Sequence, residues 1–176
     1  MRATRLINGL LTATLLLALQ AVTVSAQAPS RDGFFIGFGL GLGTLGFEDA
    51  DERESAVSGY FKIGGALNEQ LSLGAETNGW RKEEAGVTLT STNISAVAYV
   101  YPSPDGGFYL KGGLGLANVD VDLGGFGGGD ENGVGLTLGA GYDIGFGGRF
   151  GLTPYANLIY SSFDGGSSNL FQFGLG

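Results

Sequence analysis

Apolar residues alternate with small ones along most of this chain. In "FFIGFGLGLG" the even positions are Phe34, Ile36, Phe38, Leu40 and Leu42, and the odd positions are Phe35, Gly37, Gly39, Gly41 and Gly43. A period of two is that of a β-strand with one greasy face. The pattern recurs over 57–67, 71–80, 93–101, 108–117, 133–144, 150–160 and 171–175, which predicts eight strands. Most approach the roughly 9–11 residues of a tilted membrane strand.

The connectors alternate too. "NEQ", "PSPDGG" and "GFGGR" read as tight turns, rich in residues that suit sharp reversals. "TLGFEDADERES", "RKEEAGVTLT", "DVDLGGFGGGDENG" and "SSFDGGSS" read as longer loops. An up-and-down meander therefore puts the short turns at one end and the long loops at the other, as an outer-membrane barrel does.

Which face meets oil follows from the bare face. A soluble barrel turns a charged exterior to water and buries its apolar face inward. Here the second face is mostly Gly, Ser, Thr, Asn and Ala, with isolated Lys62, Glu76, Lys111 and Asp143, and the greasy face carries no charge. Small residues suit the crowded lumen of an eight-stranded barrel, so the greasy face is assigned to lipid. Aromatics also gather near the expected strand ends. Phe34, Tyr99, Tyr101, Phe108, Tyr109, Phe146 and Phe150 fall at the turn side, and Trp80, Tyr160 and Phe163 at the loop side. They are expected as belts at the two membrane interfaces.

Composition narrows the picture. Residues 1–26 carry Arg2 and Arg5, an apolar stretch from Leu10 to Leu19, and small residues at Val24-Ser25-Ala26, the form of a cleaved secretory signal. Residues 27–32 then make a short lead and 33–176 the barrel. Without Arg2 and Arg5, seven basic residues face seventeen acidic ones, a net charge of −10 that disfavours nucleic acid as a partner. The chain has no His and no Cys. Disulfides and a thioether lipid anchor are excluded, transition-metal sites lose their main ligands, and His-based acid–base or nucleophilic chemistry is impossible. Glycine accounts for 35 of the 176 residues, where about 7% is usual, without a collagen period.

The stretch "GLGTLG" (41–46) has the wording of a dinucleotide fingerprint, Gly41-x-Gly43-x-x-Gly46. Such a site needs a helix N-terminus after the glycines. Acidic "FEDADERES" follows instead, so the glycines are read as strand running into loop, and no cofactor is expected.

The stretches "GFYLKGGLGLANVDVD", "GVGLTLGAGYDIGFGGRFGLTPYANLIYSSF" and "NLFQFGLG" resemble the small Gram-negative outer-membrane barrels, the OmpA-barrel, OmpX and opacity-protein-like group. The resemblance implies insertion through the barrel assembly machinery and roles in adhesion, surface structure or membrane integrity. Members of that group usually end in an aromatic residue, whereas this chain stops at Gly174-Leu175-Gly176. Either residues follow Gly176 or the assembly signal is atypical.

Three charges are the candidate site. Lys62, Glu76 and Lys111 face the expected lumen, where an uncompensated charge is costly and a Glu–Lys pair is the natural resolution. Such a pair is either a static plug or a gate that re-pairs to pass ions. "EDADERE" and "DVDLGGFGGGDEN" are oxygen-rich, yet neither matches a calcium-loop spacing, and no metal site is assigned. The expectation is an all-β, eight-stranded antiparallel transmembrane barrel in the outer membrane of a Gram-negative bacterium, monomeric and non-enzymatic. Outer-membrane lipid, and host or surface ligands at its acidic loops, are its expected partners. The alternatives are a narrow channel for ions or small solutes and a soluble periplasmic ligand-binding barrel.

Overall fold

The computed structural model describes Arg31 and residues 33–176, apart from 49, 51, 125, 126 and 147–149. The signal at 1–26 and most of the lead at 27–32 lie outside the described residues. The described residues form ten strands: β1 (Phe34–Phe47), β2 (Glu54–Asn68), β3 (Leu71–Glu84), β4 (Val87–Val100), β5 (Phe108–Asp122), β6 (Gly128–Tyr142), β7 (Ile144–Gly145), β8 (Gly151–Leu152), β9 (Pro154–Phe163) and β10 (Gly166–Leu175). Eight of them close a barrel in the order β1-β10-β9-β6-β5-β4-β3-β2, and β7 and β8 form a separate two-stranded ribbon. Every pairing is antiparallel, including the closing seam, where β1 meets β10 from Leu40↔Leu175 to Phe47↔Ser168. This is the eight-stranded up-and-down barrel that the alternation predicts.

The alternation also sorts inside from outside. Phe38, Leu114 and Leu116 on the outer wall are each 71% exposed, while Gln172 and Asn78 inside are 0% exposed. An apolar exterior around a polar interior is unfavourable in water and favourable in hydrocarbon, so the soluble-barrel alternative falls. On β3 the outward residues Leu71, Leu73, Ala75, Thr77 and Gly79 are uncharged, and Arg81 is the first outward charge.

Two expectations need correction. The four long loops are mostly strand. "RKEEAGVTLT" is a hairpin, with Glu84 opposite Val87 and a two-residue turn at Ala85-Gly86. Both turn residues have positive φ (52° and 83°), the geometry that matches strand twist in a two-residue hairpin. "SSFDGGSS" likewise turns at Asp164-Gly165, with Phe163 opposite Gly166. Only 48–53 and 123–127 remain as longer links at that end, and the longest connector, 143–153 with its ribbon, lies at the other. Strands carry Glu83, Glu84, Asp120, Asp122, Asp130 and Glu131 beyond the apolar belt, while Glu48 and Glu52 stay on the link between β1 and β2.

The second correction concerns the aromatics. Tyr99, Tyr101, Tyr109 and Trp80 are not interfacial; they are buried in the lumen. Phe34, Phe108, Phe146, Phe150 and Tyr160 do face outward. Trp80 and Tyr109 fit because glycines stand beside them, and Lys62 does likewise. A methyl group added at Gly43 would lie 2.8 Å from Trp80 Cδ1, one at Gly141 2.8 Å from Tyr109 Cε1, and one at Gly37 2.8 Å from Lys62 Cε. The bare inner face is thus a set of sockets for large side chains.

Candidate functional site

The lumen is filled in three layers. At the loop end, Leu45 of β1, Trp80 of β3, Ile159 of β9 and Leu170 of β10 form an apolar plug, with Phe47, Ala56 and Leu89 packed against it. The Trp80 indole donates to the Gly43 carbonyl at 3.0 Å, so this plug buries no free polar donor of its own. At the turn end, Val97, Tyr99, Tyr101 and Tyr109 form a second plug with Phe35, its rings meeting edge-on or tilted. Tyr60 and Tyr155 meet edge-on beside it, 4.7 Å between centroids.

Between the plugs lies a polar layer centred on Glu76, which is 1% exposed. Its Oε1 accepts from Lys111 Nζ and from Asn78 Nδ2 (2.9 Å), and its Oε2 accepts from the Tyr99 hydroxyl (2.8 Å). The network continues across the barrel. Asn157 donates to Asn78 Oδ1 and Gln172 Oε1 (3.2 and 3.3 Å), and Gln172 donates to the Gly79 carbonyl (3.1 Å). On β4, beside Glu76, Ser95 donates to Asn93 Oδ1, which also accepts from Thr137 of β6. A buried carboxylate held by an ammonium, a hydroxyl and an amide has the several partners that its desolvation demands.

The three charges named from the sequence all point inward, but only two of them bond. Lys62 sits directly opposite Glu76 in the β2–β3 register, and alternation alone would pair them. The ion pair instead crosses the lumen to Lys111 of β5. Among the described residues no carboxylate lies within ion-pair distance of Lys62. Its ammonium lies over the rings of Tyr60, Tyr99 and Tyr109, at 5.4, 5.5 and 5.3 Å from their centroids, within the range of cation–π attraction.

The turn-end mouth is closed by Asp143 and Tyr101, which sequence patterning named, together with Arg31 and Thr153, which it passed over. Arg31, in the lead before β1, lies 3.8 Å over the Tyr101 ring and donates to the carbonyls of Glu69, Pro104 and Gly106. Tyr101 and Thr153 donate to Asp143 at 3.0 and 2.7 Å. An isolated arginine before a strand carries no periodic signal; only the fold brings it to two separate turns. At the other end Lys82 bonds Glu54 and Glu84, and Arg53 bonds Thr44 and Asn169. Among the described residues there is no cluster of three or more carboxylates placed to hold a metal ion; Asp49 and Asp51 of the acidic loop lie outside them.

A family model for the outer membrane protein beta-barrel domain matches residues 14–176. The chain belongs to that family. No curated protein matches it by sequence. Among solved structures, this outer-membrane barrel is similar to Ail, the attachment invasion locus protein of Yersinia pestis. The TM-score is 0.62 at 13% identity, over 82% of this chain and 97% of that one. It is also similar to Neisserial surface protein A, with a TM-score of 0.58 at 16% identity over 82% and 96%. At these identities the likeness is one of fold. A second structure of Ail, in complex with the heparin analogue sucrose octasulfate, matches with a TM-score of 0.60 at 13% identity, over 82% of this chain and 97% of that one.

Proposed function

We propose that this chain is a closed, non-enzymatic outer-membrane barrel with a surface-structural, membrane-integrity or adhesion-type role. The observation that carries the reading is the filled lumen: two plugs and a bonded polar layer occupy it, which supports a barrel that neither conducts nor reacts. Arg31 and Gly176 both lie at the turn end, which supports a periplasmic position for that end after the leader is removed near Ala26. The opposite end is then extracellular, reached by a monomer through the barrel assembly machinery.

What that end offers a partner is negative charge. Glu48, Glu83, Glu84, Asp122, Asp130 and Glu131 are exposed there, against Arg53, Arg81 and Lys82. Like charge disfavours association, so the surface ligand is basic, unlike the sulfated analogue bound by Ail. Two measurements test this. Folded protein in a planar bilayer is expected to give no unitary conductance, and to pass unretained over a heparin resin at low salt. A steady conductance abolished by Lys62→Ala or Lys111→Ala would replace the closed barrel with the narrow-channel reading.

A further inference from the structure

The outer wall of the barrel carries an open groove of about 470 Å³ where β1, β2 and β3 run side by side. Its floor is Gly59 and Gly79, direct partners across the β2–β3 ladder, with Thr77 below. Leu40 and Phe61, both outward, form its walls. A side chain added at Gly79 would meet no atom within 4 Å, whereas one at Gly59 would meet Leu40 Cδ2 at 3.2 Å, so the open space lies over Gly79. The groove opens onto the apolar belt, where its surroundings are lipid chains rather than water.

Arg81 stands at the upper lip, one outward step above Gly79. It is the single Lys or Arg on the outer face of the described barrel strands; Lys62, Lys82 and Lys111 point inward. Its contact with Glu83 is long, 3.7 Å, and both side chains are largely exposed, so an incoming anion can displace it. A guanidinium presents a fork that matches phosphate oxygens.

We infer that this groove holds one acyl chain of a phosphorylated glycolipid of the outer leaflet, with the lipid's phosphate on Arg81. The inference rests on the orientation given under the proposed function, which turns Arg81 toward the outer leaflet. The apolar floor selects the chain and Arg81 selects the phosphate, and the two lie one step apart on a single strand.

Native mass spectrometry of the folded, detergent-extracted barrel tests it, with lipid A, dephosphorylated lipid A and phosphatidylglycerol as probes. The wild type is expected to retain one lipid A. Gly79→Phe, which fills the groove, and Arg81→Gln are each expected to lower retention about tenfold, as is removal of the phosphates. Gly112→Phe, on the outer face of β5 with only Leu138 nearby at 3.8 Å, is expected to bind as the wild type does. Equal retention by Gly79→Phe, or equal binding of phosphatidylglycerol, overturns the inference. So do dimers that Gly79→Phe abolishes, since they would make the groove an interface between copies. Failure of the protein to extract from membranes as a heat-modifiable band would instead sink the membrane reading itself.

Discussion

The two ends of the lumen are sealed by different chemistry. The loop-end plug is aliphatic apart from Trp80, whose indole donor is satisfied by Gly43. The turn-end plug is built largely of tyrosine rings around the Lys62 ammonium, and it leans on a carboxylate in the layer above. The first is held by packing, so it has no charge state to alter. The second is held by packing and by Glu76, whose loss would leave Lys111 without its ion-pair partner. Which amino acids fill a narrow barrel is thus secondary to which of them must be neutralised.

Substitutions can break this contrast. Glu76→Ala strands the buried Lys111 ammonium, and a loss of about 3–5 kcal/mol is expected in urea unfolding of the barrel in micelles. Replacing both partners, with Glu76→Leu and Lys111→Met, should return most of that loss; no recovery would show that the ion pair is not what holds the layer. Leu45→Ala, in the other plug, should cost about 3 kcal/mol through the cavity it leaves, with the same value at pH 5 and pH 9. A pH-dependent loss there would erase the distinction between the two seals. Lys62→Met should change stability by no more than about 1 kcal/mol, because a cation held only by ring faces is exchanged for a side chain of similar shape.

The smallest effect lies above the membrane, in the tip of the β3–β4 hairpin. Lys82, bonded to Glu54 and Glu84, is held above its ordinary range by those carboxylates, while Lys82 holds Glu84 below the usual 4.5. A depressed carboxyl stabilises above its unfolded value and loses that support as pH falls through the folded one. The hairpin tip should therefore loosen slightly below about pH 4.5. Amide shifts of Ala85 and Gly86 that stay fixed down to pH 3 would show that the pair contributes nothing.

The fold was legible because a membrane barrel must be uniform on its outer face, and Phe34 to Leu42 state that period without interruption. Parity alone placed Lys62, Glu76 and Lys111 inside. It could not say which lysine reaches Glu76, since β5 faces β3 only once the barrel has closed and the choice depends on curvature and side-chain length. The turn at Asp164-Gly165 was readable, because Asp-Gly between alternating segments marks a two-residue hairpin; Ala85-Gly86 was less so, because alanine is not a residue that ordinarily takes the positive φ it adopts there. Their acidic and Gly-rich flanks disguised them as loops. Tyr99, Tyr109 and Trp80 were misplaced because closeness to a strand end suggests an interface, whereas strand parity, the stronger signal, points them inward.

The glycine sockets have a consequence for how this interior can vary. Several large inward side chains occupy space that a glycine leaves free, as Gly139 does for Lys111 and Asn157 and Gly43 does for Trp80. The lumen is therefore inscribed twice, once as bulk and once as its complement. A change at either copy alone is blocked by the other. Viable sequences are reached in paired moves, and a library that randomises Gly43 together with Trp80, or Gly37 together with Lys62, will yield folded barrels far more often than one that randomises each alone.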